Sequence, residues 1–141
     1  MRIAFCYNVK KRQPSTDLAK QTDIEFDLPL VIKGIGKALK ELGHTVYPVE
    51  ADEDAFDKLK KLKNKIDIVF TIAEGLWGDA RESQIALFCE VLKIPYTHSS
   101  PTTHAICLDK DFTKLIVKGS SRFNVPASFV VQTKITKSPP E

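Results

Sequence analysis

Short apolar segments alternate with amphipathic segments of helical period along the chain, and this order restricts the folds open to it. Apolar segments typical of strands lie at 2–7, 44–49, 66–73, 94–98 and 127–132. Helical patterns lie between them at 29–42, 57–65, 80–92 and 109–119. Strict alternation of strand and helix predicts a parallel sheet with helices on both faces. We therefore expect an α/β fold, a three-layer Rossmann-like domain with a mostly parallel sheet flanked by helices.

The boundaries of two helices carry recognisable signals. Pro29 suits the first turn of the helix at 29–42, and Gly43 suits a left-handed position after its last turn. Asp79 and Glu82 have the spacing of a capping box for the helix at 80–92. The apolar residues expected to face the core in these two helices are Val31, Ile32, Ile35, Ala38, Leu39, Leu42, Ile85, Phe88, Val91 and Leu92.

The segments without a period predict loops. The polar stretch 8–24 is long for a connection inside a compact domain, and loops of this length are usually functional or mobile. The chain ends in the polar segment TKITKSPPE, for which we expect nothing compact.

The composition predicts one globular domain and excludes several kinds of partner. The chain has 141 residues, of which 43% are hydrophobic and 28% charged, typical of a soluble domain. A net charge of +3 is too small to indicate nucleic acid, and the lysines of 57–65 fit the solvated face of an amphipathic helix. No apolar run is long enough for a membrane span. We expect a cytoplasmic protein that binds neither nucleic acid nor membrane.

The three cysteines suggest a reducing compartment rather than a disulfide or metal site. Cys6, Cys89 and Cys107 are odd in number, lack a C-x-x-C pair and lie among apolar neighbours. Buried, reduced thiols are expected from that setting, and no metal site.

The segment KGIGK resembles part of a dinucleotide-binding motif, but its position argues against that function. Gly34 and Gly36 lie inside the first helix rather than at the first strand-to-helix turn, and the third glycine of the motif is missing. Because an interior glycine costs a helix about 1 kcal/mol against alanine, we expect these two to permit close packing of the helix on the sheet.

The segment FTIAEGLWGDARESQ holds the strongest candidate for a binding site. Residues 73–78 follow the third strand and lead to a helix N-terminus, where backbone N–H groups favour a carboxylate or phosphate. Arg81 could grip a carboxylate, and Glu74 could accept an ammonium group. The alternative is a tight turn with Trp77 packed over a neighbouring loop and Arg81 paired with Glu82 or Asp79. The residues alone leave both interpretations open.

A second acidic group precedes the first helix. Asp23, Glu25 and Asp27 could cap that helix and complement its dipole. Alternatively, one of them could recognise a ligand amine at the carboxyl end of the first strand, where open α/β sheets bind ligands.

Several motifs occurring together resemble one family. The segment IVFTIAEGLWGDARESQIALFCEVLKIPYTHSSP, followed by AICLDKDFTK and NVPASFVV, resembles the N-terminal region of D-alanine–D-alanine ligase and its close ATP-grasp relatives. The resemblance implies that 1–122 is an N-terminal, pre-ATP-grasp domain. It also implies that 123–141 is the start of the central ATP-grasp domain or a loosely ordered tail.

The resemblance implies an activity that needs further domains. Such ligases, which act in peptidoglycan biosynthesis, activate a carboxylate as an acyl phosphate with ATP and magnesium, and an amine then attacks it. The central and C-terminal domains hold the nucleotide and the metal, so the 141 residues are expected to be inactive alone and to bind neither cofactor tightly. The implied partners are an amino-acid substrate at a weak half-site and the missing ATP-grasp domains. A homodimer is left open.

The resemblance also implies roles for individual residues. Glu25 matches the glutamate that holds the amino group of the first substrate, and Lys110 matches a lysine that approaches the ATP phosphates. Ser99 lies where the family has glycine–serine, so that His98 is a departure from the pattern. Glu74 stands where the dipeptide ligases carry a histidine, a change that replaces a donor by an acceptor. Glu25, Glu74, Ser99, Gly75 and Arg81 together are the predicted substrate-binding residues, with Lys110 for the nucleotide.

Two other functions compete with a ligase domain. The first is a stand-alone α/β binding or regulatory module that works without the nucleotide-binding half. The second, a dinucleotide-dependent oxidoreductase, is disfavoured because the first strand ends in YNVKK with no glycine-rich turn.

Overall fold

Strand β1 (Arg2–Tyr7) is the middle strand of a three-stranded parallel sheet in the computed structural model. The structure describes residues 1–11, 24–120 and 122–130. Strand β2 (Thr45–Glu50) pairs with one edge of β1 and β3 (Ile68–Thr71) with the other, giving the order β2-β1-β3. The parallel sheet expected from the alternating pattern is therefore confirmed.

Helices cover both faces of this sheet. These are α1 (Pro29–Glu41), α2 (Ala55–Leu62) and α3 (Gln84–Leu92), and they are followed by α4 (Pro101–Leu108) and α5 (Lys110–Gly119), which pack against each other. Helix α1 lies over Phe5, whereas α2 and α3 pack on the opposite face against Ala4 and Cys6. Alternate side chains of β1 point to opposite faces, and residues 3–6 are all buried. The three-layer α/β architecture is confirmed.

The main core lies between the sheet and the α2–α3 layer. Its largest fully buried side chains on that side are Leu59 of α2, Val49 of β2 and Val69 of β3. Phe56 and Phe88 pack edge to face where α2 meets α3, with ring centroids 5.4 Å apart. Lys60 and Lys61 lie on its exposed side, as the amphipathic pattern predicts, whereas Lys58 is half-buried and pairs with Asp52.

The start of α3 differs from the sequence expectation. A short 3₁₀ turn (Arg81–Ser83) precedes the helix, and Ser83 at the N-cap makes no side-chain capping hydrogen bond. The predicted capping box of Asp79 and Glu82 is wrong, because the turn displaces the helix start beyond both residues. Val91, expected to be buried, is 63% exposed.

Two predicted strands are not formed in the described residues. At 94–98 the chain makes only an isolated parallel bridge, between Tyr96 and Val69. Residues 127–130 have no regular structure, and 131–132 lie outside the described residues. Helix α4 was not predicted, because its sequence PTTHAICL has little amphipathic character and it buries no residue completely.

Helix α1 is attached to the sheet more loosely than expected. Of its six apolar residues predicted to face the core, only Ile32 is buried, while Ile35 and Leu39 are half-buried. Its N-cap is Leu28, without a side-chain capping bond, so the predicted capping by Glu25 and Asp27 is wrong. Asp23 lies outside the described residues. The helix does end as predicted, with Gly43 at φ +82°.

The cysteines divide into two kinds. Cys6 and Cys89 are fully buried, as expected, but Cys107 is exposed because α4 lies at the surface. None of the described helices combines the length and the apolar character needed to cross a membrane.

Candidate functional site

Asn8 joins the ends of all three strands at the carboxyl edge of the sheet. It directly follows β1 and is 3% exposed. Its Nδ2 atom donates to the carbonyl of Ala51, after β2, at 2.7 Å. Its Oδ1 atom accepts from the backbone N–H groups of Glu74 and Gly75, after β3, at 2.9 and 3.1 Å. The amide therefore fixes the position of the loop that follows β3.

The loop after β3 needs a glycine at position 75. Gly75 has φ +79°, and a Cβ there would lie 2.1 Å from the carbonyl oxygen of Arg81. Gln84 holds the same loop from the other side. Its side chain accepts from the backbone N–H of Leu76 at 3.2 Å and donates to the carbonyl of Trp77 at 3.0 Å. The loop is thus closed by hydrogen bonds at both ends.

These bonds change what the loop offers to a ligand. The N–H groups of Glu74, Gly75 and Leu76 already have partners in Asn8 and Gln84. They are therefore not free to bind an anion. The sequence predicts an anion site in the turn before the helix, but these three groups do not provide it. The tight-turn alternative is wrong in its packing, since Trp77 is 65% exposed rather than packed over a neighbouring loop.

Arg81 reaches across to the segment before α1. Its guanidinium donates to Oε2 of Glu25 at 2.5 Å, so neither Asp79 nor Glu82 is its partner. The pair brings together two predicted site residues that are 56 positions apart. Arg81 thus engages one oxygen of the Glu25 carboxylate, and the role of Glu25 toward a ligand amine stays a prediction.

A cavity of about 320 Å³ opens beside these residues. Three carboxylates, two histidines and three apolar residues line it: Asp27, Glu74, Glu82, His98, His104, Ile35, Ile72 and Ala73. No lysine or arginine is among them. The cavity therefore has an acidic wall, which favours a cationic group of a ligand.

The crowding of carboxylates alters the ionisation of Glu74. Burial raises the pKa of this carboxyl group, and the negative charges of Glu82 and Glu25 raise it further, while Arg81 acts in the opposite direction. A positive ligand would relieve this repulsion. A cation bound in the cavity would therefore gain most of its stabilisation from the Glu74 carboxylate.

Two histidines form the far wall of the cavity. His98 donates from Nε2 to the carbonyl of Thr71 at 2.7 Å, which leaves its Nδ1 as an acceptor. The His98 and His104 rings lie 4.9 Å apart. Nδ1 of His98 and Nε2 of His104 are buried and have no hydrogen-bond partner among the described residues. Burial and the neighbouring His98 lower the pKa of His104, which favours its neutral form.

The remaining predicted residues lie elsewhere. Ser99 is exposed and is not part of the cavity lining. The ammonium group of Lys110 donates to the carbonyl of Cys107 at 2.7 Å, and the side chain is exposed at the start of α5. Glu74 is thus the one predicted substrate-binding residue that lines the cavity, with the Glu25–Arg81 pair beside it. The binding roles of all six residues stay predictions.

Two residues that shape the site, Asn8 and His104, were not recognised from the sequence. Asn8 begins the polar stretch 8–24, which the sequence predicts to be a long loop, but its side chain is buried directly after β1. A buried-strand pattern followed at once by asparagine could have indicated it. His104 had no signal, because helix α4 was not predicted. Among residues 1–11, 24–120 and 122–130, no three His, Cys, Asp or Glu side chains are arranged to hold a metal ion.

Comparison with known proteins relates the chain to one group of enzymes. It is 42% identical over 94 residues to the D-alanine–D-alanine ligase of Aquifex aeolicus, covering 67% of this chain and 31% of that protein. It is 32% identical over 119 residues to the Pseudothermotoga lettingae enzyme, covering 82% of this chain and 38% of that one. No protein-family model matches the chain.

The fold agrees with this relationship. A crystal structure of D-alanine–D-alanine ligase from Bacillus anthracis, complexed with ATP, superposes with a TM-score of 0.58 at 22% identity. The match covers 86% of this chain and 36% of that structure. The chain is thus homologous to these ligases over their N-terminal portion, and it spans about a third of the length of the curated relatives it matches.

Proposed function

We propose, from the homology to D-alanine–D-alanine ligases over a third of their length, that this chain is the substrate-site domain of an ATP-dependent ligase joining a carboxylate to an amine. The observation that carries the proposal is the acidic cavity at the carboxyl edge of the sheet, lined by Asp27, Glu74 and Glu82. Ligands of open parallel sheets bind at this edge. The domain holds the amino group of the first amino acid and catalyses no ligation alone.

The charge of the cavity supports recognition of an ammonium group. Among the described residues that line the cavity are three carboxylates and no lysine or arginine. Burial raises the pKa of Glu74, and the negative charges of Glu82 and Glu25 raise it further. Nδ1 of His98 adds a buried acceptor that lacks a donor among the described residues. An ammonium group brings three N–H donors and one positive charge. It would offset the negative charge of the carboxylates and donate a hydrogen bond to Nδ1 of His98.

The carboxylate end of an amino acid finds no comparable partner among the residues that the structure describes. Arg81 is paired with Glu25, and the nearby N–H groups of Glu74 and Gly75 are bonded to Asn8. The domain therefore supplies a half-site for the amine end. The missing contacts must come from other domains, which is why we expect millimolar rather than micromolar affinity.

The described residues do not fit ATP with magnesium. Lys110 is the one nucleotide-side residue that the resemblance implies, and its ammonium group donates to Cys107 within its own segment. No acidic group suited to a metal occurs in the described part of the chain. One exposed ion pair gives about 0–1 kcal/mol, whereas even millimolar binding needs about 4 kcal/mol. We therefore assign no nucleotide step to these residues.

Three small ligands test which end of the substrate is recognised. D-alanine, D-alaninamide and propionate are titrated separately into the ¹⁵N-labelled chain. D-alanine and its amide should shift the backbone signals of Ile72, Glu74 and Glu82, and the amide should bind at least as tightly as D-alanine. Propionate should shift none of these signals. Glu74→Gln should weaken D-alaninamide roughly tenfold, about 1.4 kcal/mol.

The matched control is Glu41→Gln. It removes the same charge from an exposed position in α1, where Glu41 pairs with Lys37, and should leave binding unchanged. Binding of propionate at these residues would contradict recognition of the amine. Micromolar binding of D-alanine without nucleotide would favour the stand-alone module instead.

An activity assay tests the incompleteness of the site. Purified chain with ATP, magnesium and D-alanine should release no amino-acid-dependent phosphate, and calorimetry should detect no nucleotide binding tighter than millimolar. Turnover that disappears in Lys110→Ala would overturn the proposal.

A further inference from the structure

A second cavity of about 370 Å³ lies between α1 and the β1–β2 half of the sheet. It shares no lining residue with the acidic cavity. Its floor is apolar and partly aromatic. Phe5 and Tyr7 of β1 lie with ring centroids 5.1 Å apart, and Val46 and Pro48 of β2 extend the floor toward the edge of the sheet. We call this cavity the α1 groove.

The α1 groove is open because α1 has a glycine where a side chain would enter it. A Cβ added at Gly36 would meet nothing closer than the Phe5 ring at 3.9 Å, an ordinary contact distance. Packing therefore does not require this glycine, although it costs the helix about 1 kcal/mol against alanine. At Gly34 a Cβ would meet nothing within 4 Å, so the close packing predicted for both glycines is absent there.

The rim of the groove is cationic. Lys33, Lys37 and Lys40 of α1 line it, and no aspartate or glutamate is among the described lining residues. Their spacing places them along one side of the helix. Lys37 has an exposed ion pair with Glu41 at 3.4 Å, while the ammonium groups of Lys33 and Lys40 make no ion pair with any described residue. Two positive charges thus lie beside an apolar floor without compensation.

We propose that the α1 groove binds a small amphipathic anion, with an apolar body lying on the floor and a carboxylate or sulfonate at the lysine rim. The floor supplies apolar surface that is removed from water on binding. The rim supplies charge of the sign that an anion requires. The occupant is a free small molecule rather than a membrane surface, because the apolar contacts lie inside the groove and not on a protruding face. This inference does not depend on the ligase function.

Octanoate and octylammonium provide a matched pair of probes, since they share an apolar chain and differ in the sign of charge. Each is titrated into the ¹⁵N-labelled chain. Octanoate should shift backbone signals of Ile32, Gly36, Lys40, Val46 and Tyr47, and octylammonium should bind at least tenfold more weakly. Equal binding of both would overturn the proposal, as would octanoate shifts confined to α5.

Two variants with one control locate the site. Gly36→Leu should fill the groove and reduce octanoate affinity at least tenfold, whereas Gly34→Leu, on the same helix with open space around it, should leave the affinity unchanged. Lys33→Glu combined with Lys40→Glu should also weaken octanoate at least tenfold and favour octylammonium. Circular dichroism and the melting temperature establish that each variant is folded. If Gly36→Leu is unfolded, Gly36→Ala replaces it, and an affinity equal to wild type in the folded variant counts against the proposal.

A vesicle experiment separates the two sources of an amphipathic anion. Phosphatidylglycerol vesicles should not sediment the chain at physiological salt. If they do, and octanoate gives no shift in the groove, the proposal of a small-molecule site is wrong.

Discussion

The side-chain oxygen of Asn8 lies 3.1 Å from the backbone nitrogen of Gly75, 67 positions further along the chain. The same oxygen accepts from Glu74, and the side-chain nitrogen donates to Ala51. One buried amide thereby sets the relative positions of the segments that leave the three strands. The acidic cavity depends on this arrangement, because Glu74 is one of its walls.

Asn8→Ala should therefore lower the free energy of unfolding by about 2–4 kcal/mol. Leaving a buried polar group without its partner costs about 1–3 kcal/mol, and this change removes the partner of two donors and one acceptor. Urea denaturation followed by circular dichroism measures the effect. Asn124→Ala, at an exposed position, is the control and should change stability by less than about 0.5 kcal/mol. A loss at Asn8 as small as the control's would show that the amide does not hold the strand ends together.

Gly75→Ala and Gly78→Ala separate strain of the backbone from steric conflict. Both glycines have positive φ, +79° and +97°, but an added Cβ collides with Arg81 only at Gly75. We expect a loss of about 3 kcal/mol for Gly75→Ala, from left-handed strain and overpacking together. Gly78→Ala should lose about 1 kcal/mol from the strain alone. Equal losses in urea denaturation would mean that the loop moves freely away from the added methyl group.

The parts of the fold that depend on local pattern were predictable from the sequence. The apolar run of β3 needs no partner to be recognised, and Pro29 and Gly43 mark the limits of α1 by their own backbone preferences. The loop after β3 was also recognisable, because two glycines and an arginine are unusual in a simple connection.

The contacts that shape the site were not predictable in the same way, because they join distant positions. Either carboxylate could form a salt bridge with Arg81, so the sequence does not indicate that its partner is Glu25 rather than Glu82. The start of α3 was misplaced because the 3₁₀ turn (Arg81–Ser83) has the same local composition as a helix N-terminus. Helix α4 lacks an amphipathic period, so nothing in the sequence indicates that its residue His104 lines the cavity.

Thiol labelling should find one reactive cysteine in the native chain. Cys107 is exposed, whereas burial raises the pKa of the Cys6 thiol and raises that of Cys89 to about 12. Only a thiolate reacts rapidly, so Ellman's reagent at pH 8 should modify one thiol per native chain and three after unfolding. Cys107→Ser should abolish the native reaction. Rapid labelling in that variant would show that the α2–α3 layer opens readily.

The pH dependence of stability should carry the signature of Glu74. Burial and the charges of Glu82 and Glu25 raise its pKa in the folded chain above the value for an ordinary glutamate, so the folded state binds its proton more tightly than the unfolded state. Where the folded state binds more protons, the free energy of unfolding falls as pH rises. The contribution of Glu74 is therefore fully present below the ordinary glutamate pKa and is lost as pH rises through the raised one.

Glu74→Gln removes this titration. Its stability relative to the wild type should increase as the pH is raised from about 4 to 7, as measured by urea denaturation at each pH. Glu41→Gln changes the net charge by the same amount outside the acidic cavity and is the control for that change of charge. At saturating concentration, D-alaninamide should reduce the difference between Glu74→Gln and the wild type in how the free energy of unfolding changes with pH. The reason is that a bound ammonium group stabilises the ionised carboxylate of the wild type. A Glu74→Gln curve parallel to that of the wild type would mean that the pKa of Glu74 is not raised in the folded chain.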